Sequence, residues 1–201
     1  MVNIDFSQLK RSEKYYFMTS TIVPRPIAVV GTRNESGNDN LASFSYFNAV
    51  SSEPPILMFV VTHGRNGAKK DTLVNIERTH EFVVHIAQSD QFKEVDETGE
   101  ALPYGMSERE KLGLHLSPST WIKTPRVTEF KVAYECTLEK LVELDSSTVV
   151  FGRILGAHVE RSLLLRDPES GLPIPRVDSI ALDPLARMDR GYGKIAAQLE
   201  P

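Results

Sequence analysis

Residues 24–55, PRPIAVVGTRNESGNDNLASFSYFNAVSSEPP, decide how the chain is read. Ile27 to Thr32 is β-rich and unbroken in its apolar character, as in a buried strand. Asn34 to Asn40 is turn chemistry, with Gly37 able to take positive φ and Asn and Asp tolerant of it. Leu41 to Val50 then reads as one strand and Ile56 to Thr62 as the next, parted by Pro54 and Pro55, which cannot sit inside a ladder. These three strands are expected to form a β-meander. Along the second, Ser43, Ser45, Asn48, Ser51 and Ser52 alternate with aromatic and small apolar residues. An ordinary amphipathic strand carries charges on its wet face. Small hydroxyls and an amide there hydrogen-bond a flat polar ligand without crowding it, and Phe44, Tyr46 and Phe47 would add aromatic walls. The plain alternative is an exposed edge face, where Ser and Asn are common.

Working outward, Lys70 to Arg78 suits a short helix opened by Asp71 or Thr72 as N-cap. The preceding segment Arg65-Asn66-Gly67-Ala68-Lys69-Lys70 gathers three cations and a glycine before that helix start, where free N–H groups and the helix dipole favour an anion. Lys70 or Arg65 would supply charge and Thr72 a hydroxyl; a solvated basic loop is the alternative. Glu81 to Ala87 returns to strand. Gln88 to Ile122 is more polar and helical in pieces, with Ser107 and Glu110 at capping-box spacing and Gly113 as a helix stop. It reads as an insertion over a barrel mouth, outside the core. Phe130–Leu144 and Ser147–Arg161 form the clearest hairpin, turning at Asp145-Ser146, with Val132, Tyr134, Cys136 and Leu138 on one face. Asp167 to Pro175 is a loop and Ile180 to Arg187 the last strand. The chain is therefore mainly β with short helices: one domain over residues 1–201, Greek-key-like, closing into a barrel or nearly so.

Composition bounds the function. Net charge is −4, which gives no general affinity for nucleic acid or anionic membrane. No window approaches the roughly 18 uncharged apolar residues of a membrane span, and MVNIDFSQLKRSEKYY lacks a signal-peptide core. A cytoplasmic protein is the expectation. The single cysteine, Cys136, excludes a disulfide within one chain and falls on an apolar strand face, as a buried structural thiol does. His63, His80, His85, His115 and His158 show no metal-ligand spacing and no triad order, so no metal and no catalytic residue is assigned. A Gly-rich dinucleotide fingerprint between strand and helix is also missing.

The combination of PRPIAVVGT, a turn, NLASFSYFNAVSSEPP, an apolar strand, KDTLVNI and EFVVHI resembles the flavin reductase-like family of FMN-binding split β-barrels, which includes flavoredoxin and the flavin reductase components of two-component monooxygenases. The similarity covers the first half strongly. The hairpin fits in outline, and Arg187-Met188-Asp189-Arg190-Gly191-Tyr192 is similar to the family's C-terminal signature. The resemblance implies FMN as cofactor, NADH or NADPH as co-substrate, and a homodimer with the flavin near the subunit interface. It places Ser43, Phe44 and Ser45 along the ring and ribityl chain, Asn48 near the pyrimidine edge and Ser51 beside the cofactor. Lys70, Asp71 and Thr72 would serve the phosphate, Arg25 the phosphate or the partner subunit, and Tyr192 the ring or nicotinamide pocket. The implied activity is an NAD(P)H-dependent flavin reductase supplying reduced FMN to a partner oxygenase or other acceptor. The alternative is a flavoredoxin-like electron-transfer protein that does not oxidise NAD(P)H itself.

Overall fold

The computed structural model describes residues 1–64, 66–99 and 108–197. The helices are α1 (Arg11–Thr21), α2 (Asp71–Thr79), α3 (Phe92–Glu97), α4 (Glu108–Lys111) and α5 (Ser179–Leu182). Strands β1 (Arg25–Pro26), β2 (Ala28–Arg33), β3 (Asp39–Phe44), β4 (Phe47–Ser52), β5 (Pro55–Thr62) and β6 (Glu81–Ile86) are followed by the short β7 (Leu116–Ser117) and β8 (Arg126–Val127). The long pair β9 (Val132–Leu144) and β10 (Ser147–Val159) comes next, then β11 (Leu164–Arg166), β12 (Pro173–Val177), β13 (Leu185–Met188) and β14 (Gly191–Lys194). Seven of these make one antiparallel sheet in the order β3-β2-β6-β9-β10-β5-β4.

β3 and β4 lie at opposite edges of that sheet, yet only Ser45 and Tyr46 separate them in the chain. Phe44 and Phe47 are three Cα steps apart, at most about 11 Å. Seven flat strands would put those edges about 29 Å apart. The sheet therefore rolls until its edges approach, and the ring of Phe44 on β3 meets that of Phe59 on β5 with centroids 5.1 Å apart. β3 and β4 do not pair with each other, so the result is a split β-barrel. This corrects the expectation of one strand over Leu41–Val50 and of a meander. Ser45 and Tyr46 carry no Gly or Pro break signal; closure of the sheet forces the bend.

The rolled sheet encloses Phe44, Phe59, Phe82, Leu57, Val61, Val84, Cys136 and Val150, and α2 contributes Leu73 and Ile76 to the same cluster. Phe59 is the centre of an aromatic row, 5.1 Å from Phe44 and 5.5 Å from Phe82 between ring centroids. Gly152 is needed beside that row, because a Cβ there would lie 2.4 Å from Phe82 Cζ. Tyr134, Cys136 and Leu138 face inward as the alternation predicts; a register shift opposite Phe151/Gly152 then brings in Leu141. Burial drives the Cys136 thiol pKa upward, so the thiol stays protonated and inert.

A second core lies on the outer face of β2 and β3, built from Val29, Leu41, Val95, Leu114, Val127, Phe130 and Leu185. β2 is thus buried on both faces, which explains its unbroken apolar run. The segment expected to lie outside the core supplies Val95 and Leu114 to it. Gly113 stops α4 at φ 66°, as read from the sequence; Ser107 lies outside the described residues. Two carboxylates knit the loop before β8. Glu135, fully buried, accepts the N–H groups of Thr120 at 2.7 Å and Trp121 at 2.6 Å, while Glu81 accepts those of Lys123 and Thr124. Burial pushes the Glu135 pKa up, but those N–H groups and His158 outweigh it and hold it below the usual carboxylate range. The anchored loop lays Trp121 over Gly156, where no side chain would fit.

Three boundaries near the C-terminus also differ from expectation. The ends of the Asp167–Pro175 loop pair as β11 and β12. Ile180–Leu182 is a helical turn, because the Asp178 carboxylate caps the Ile180 and Ala181 N–H groups. β13 begins only after Pro184, and β14 follows it.

His85 joins both cores' walls. It is fully buried; its Nδ1 bonds the Val29 carbonyl and its Nε2 the Val127 N–H, each at 2.9 Å. Nε2 must accept, so the ring is neutral with its proton on Nδ1, and burial depresses its pKa to about 4. Between pH 6.5 and 4 the unfolded chain takes a proton the folded chain refuses. The stabilisation is complete above pH 6.5 and lost as pH falls toward 4. Urea unfolding should show up to about 2 kcal/mol less stability at pH 5 than at pH 7 from this group. His85→Leu should flatten that slope, and at pH 7 should cost about 1–3 kcal/mol for each polar group left unpaired. An unchanged slope in the variant would remove His85 from this role.

Candidate functional site

The bend that closes the barrel also opens a cleft. Ser43 and Ser45 form its floor where β3 runs out. α3 contributes Val95 and Asp96, and the β13–β14 hairpin contributes Arg187 and Tyr192. Tyr15 of α1 and Ile27 complete a space of about 390 Å³. Ser43 Oγ donates to the Val95 carbonyl at 3.4 Å, which fastens α3 to the strand end.

β3 is an edge strand, and its Leu41 N–H points off the free edge to Glu108 Oε2 at 3.3 Å. By the two-residue period the Ser43 N–H points the same way, toward the cleft. The cleft thus pairs an outward-pointing edge-strand N–H with two serine hydroxyls and the Tyr192 phenol. Phe44 lines it too, but the ring is turned into the barrel against Phe59, so the expected aromatic wall is core.

Tyr192 donates its O–H to Asp96 Oδ1 at 2.8 Å, and the Arg187 guanidinium lies over its ring at 4.4 Å. Burial first, and then the bond to Asp96, raises the Tyr192 pKa to about 12, so the phenol remains a donor at neutral pH. Asp96 and Arg187 were not singled out in the sequence. Arg187 stands in the signature segment 187–192, and the hairpin register Arg187↔Tyr192 was the available signal.

Four of the ten expected residues meet here: Ser43, Phe44, Ser45 and Tyr192. Asn48 and Ser51 lie exposed on the edge strand β4; Asn48 Oδ1 accepts the Ala49 N–H and Ser51 Oγ donates to the Glu53 carbonyl. At the other end of β3, Lys70 is the N-cap of α2 and Asp71 its first residue, which corrects the expected cap. No side-chain cap bond forms there. Lys70 is exposed with no side-chain partner among the described residues, whereas neighbouring Lys69 is paired with Glu77 and Glu143. Arg65 lies outside the described residues. Thr72 is buried and its Oγ1 accepts from Asn40 at 2.9 Å, beside the Asn75 to Thr32 bond at 3.1 Å. That polar cluster ties α2 to β2 and β3. Glu108 was also missed: burial, and next the charge of Asp71, raise its pKa.

Arg25 is not in the cleft. It is buried, and its Nη1 donates to the Thr19 carbonyl at 2.6 Å and the Ile22 carbonyl at 3.1 Å, closing the C-terminus of α1. Among the described residues no three of His, Cys, Asp or Glu are grouped to hold a metal, and no helix is long and apolar enough to cross a membrane.

The sequence profile described as "Flavin reductase like domain" matches residues 18–196. Component B of nitrilotriacetate monooxygenase from Bacillus cereus superposes with a TM-score of 0.91 at 31% identity, covering 100% of this chain and 98% of that one. The 2-nitrobenzoate 2-nitroreductase of Pseudomonas fluorescens gives a TM-score of 0.84 at 31% identity, covering 100% and 95%. An uncharacterized protein of Aquifex aeolicus is 40% identical over 150 residues, 75% of this chain and 76% of its own length.

Arg25→Met should leave the last carbonyls of α1 without their charged donor. The expected cost is about 1.5–3 kcal/mol in chemical denaturation, with faster proteolysis in residues 11–21. Unchanged stability and cleavage would show that α1 holds its place without it.

Proposed function

Because the chain belongs to the flavin reductase like domain family, we propose that it is an FMN-binding oxidoreductase that uses NADH or NADPH and supplies reduced flavin to a partner oxygenase. The observation that carries this reading is the cleft at the β3 end, where polar groups from α1, β3, α3 and the β13–β14 hairpin converge on a space suited to a flat polar ring. Bound FMN would supply the chemistry, accepting a hydride from the nicotinamide and passing electrons on.

The chain's own work is binding and orientation. The Ser43 N–H and the Ser43 and Ser45 hydroxyls set the ring's edge, and Tyr192 and Tyr15 wall it from water. Lys70, with the first N–H groups of α2, holds the phosphate. Thr72 acts from beneath by fixing Asn40 and the start of the helix. Asn48 and Ser51 face outward on β4 next to exposed Val50, so a second copy of the chain would bring them to the cofactor in a homodimer. The 31% identity to a monooxygenase component over the full chain supports an oxygenase as the acceptor.

Purified protein given FMN under anaerobic conditions should lose the visible absorbance of oxidised flavin on addition of NADH or NADPH. If it bleaches only with a separate reductase, the chain is a flavoredoxin-like electron carrier instead. Failure to change the flavin spectrum at saturation would end both readings.

The phosphate assignment has its own test, because Lys70 attracts that group while Glu108 and Asp71 oppose it. Lys70→Ala should weaken FMN by about 1.5–3 kcal/mol and leave riboflavin unchanged. Glu108→Gln should tighten FMN alone. Equal effects on both ligands would put the phosphate elsewhere.

A further inference from the structure

Three side chains on the cleft wall make a charged group that ring docking alone does not require. Arg187 lies over Tyr192, and its Nη1 is 3.9 Å from Asp96 Oδ1. That same oxygen already accepts the Tyr192 O–H. A separation of 3.9 Å is beyond hydrogen-bond length, so Asp96 answers the Arg187 charge only through space. It does so weakly: the Asp96 side chain is 69% exposed and water screens it, while that of Arg187 is 27% exposed and faces the cleft. Directly across the β1–β13 ladder from Arg187 stands Arg25, whose buried charge meets carbonyl dipoles and, among the described residues, no carboxylate. The cleft wall therefore carries incompletely compensated positive charge beside Ser43 and Ser45.

We propose that Arg187 makes this cleft bind reduced flavin more tightly than oxidised flavin, and that Asp96 limits how strongly it does so. This rests on the reading that the FMN ring lies along Ser43–Ser45. Oxidised FMN plus one hydride from the nicotinamide gives NAD(P)⁺ and a reduced ring with one additional negative charge. A nearby cation gains its attraction only after that transfer, so its contribution is differential between the two ligand states. Tighter binding of the reduced form raises the midpoint potential of the bound flavin, about 30 mV for each tenfold of selectivity in a two-electron couple. Tyr192 positions the guanidinium by stacking beneath it and holds Asp96 at the cleft rim.

The test measures the dissociation constant of oxidised FMN and the midpoint potential of bound FMN in wild type, Arg187→Met, Arg187→Lys and Asp96→Asn, with folding checked by circular dichroism. Arg187→Met should lose at least about tenfold affinity for the reduced form and under threefold for the oxidised form, lowering the potential by at least about 15 mV. Arg187→Lys should keep part of the selectivity, and Asp96→Asn should move the potential the opposite way. Equal losses in both redox states, or a potential that does not move in Arg187→Met, would overturn the proposal. Wild-type protein that binds neither form would overturn the flavin reading itself, a distinguishable result.

Discussion

Everything in this fold depends on the two residues that carry the chain from one edge of the sheet to the other. A seven-stranded sheet whose edge strands are three Cα steps apart cannot stay flat. Rolling gives Phe44, Phe59 and Phe82 a common interior, and α2 packs Leu73 and Ile76 against it. The same constraint leaves the seam unpaired. β3 ends with a backbone donor and two serine hydroxyls turned away from its neighbour strand, and the cleft forms where α3 and the β13–β14 hairpin stand over that end. Closure and the binding surface are one event in the geometry.

The electrostatics follow the same economy of placement. The buried Glu135 and the half-buried Glu81 are satisfied by backbone N–H groups of the loop before β8. The buried base His85 is kept neutral between a carbonyl and an N–H. Around the cleft the pattern changes. Lys70 has no side-chain partner among the described residues, and Arg187 has a carboxylate at 3.9 Å that is already bonded to a phenol. Charge is left incompletely answered where a ligand would answer it.

Much of the architecture was legible in the sequence, and the exceptions have physical reasons. The β9–β10 hairpin, β2 and α2 announce themselves by alternation, by continuous apolar character and by spacing, because burial on defined faces selects those patterns. The bend at Ser45-Tyr46 does not, since it follows from long-range closure and no local propensity marks it. Ile180–Leu182 looked like a strand because a three-residue apolar run has no readable period; the Asp178 cap decides it. In the site, Ser43, Ser45 and Tyr192 were readable as ligand-type residues. Asp96 and Tyr192 are 96 positions apart, and nothing local in either segment predicts that they meet. Arg25 and Thr72 have structural tasks that the motif does not announce: the fold uses them as a helix closure and a buried tie.

The sheet order has a consequence for how the chain reaches this state. β5 finds its inner neighbour only in β10, residues 147–153, and β6 finds its own in β9. A growing chain that has released β2 to β6 therefore holds two hairpin-like pieces joined by a two-residue hinge, with neither piece able to seal the other. Contacts that span about ninety residues must be made before the interior is dry, which places this fold among the slower, topology-limited folders. Until the last long hairpin arrives, the β5 and β6 edges are exposed templates for strand pairing between chains. Synthesis at low temperature or with a holdase is then the condition that favours intact protein.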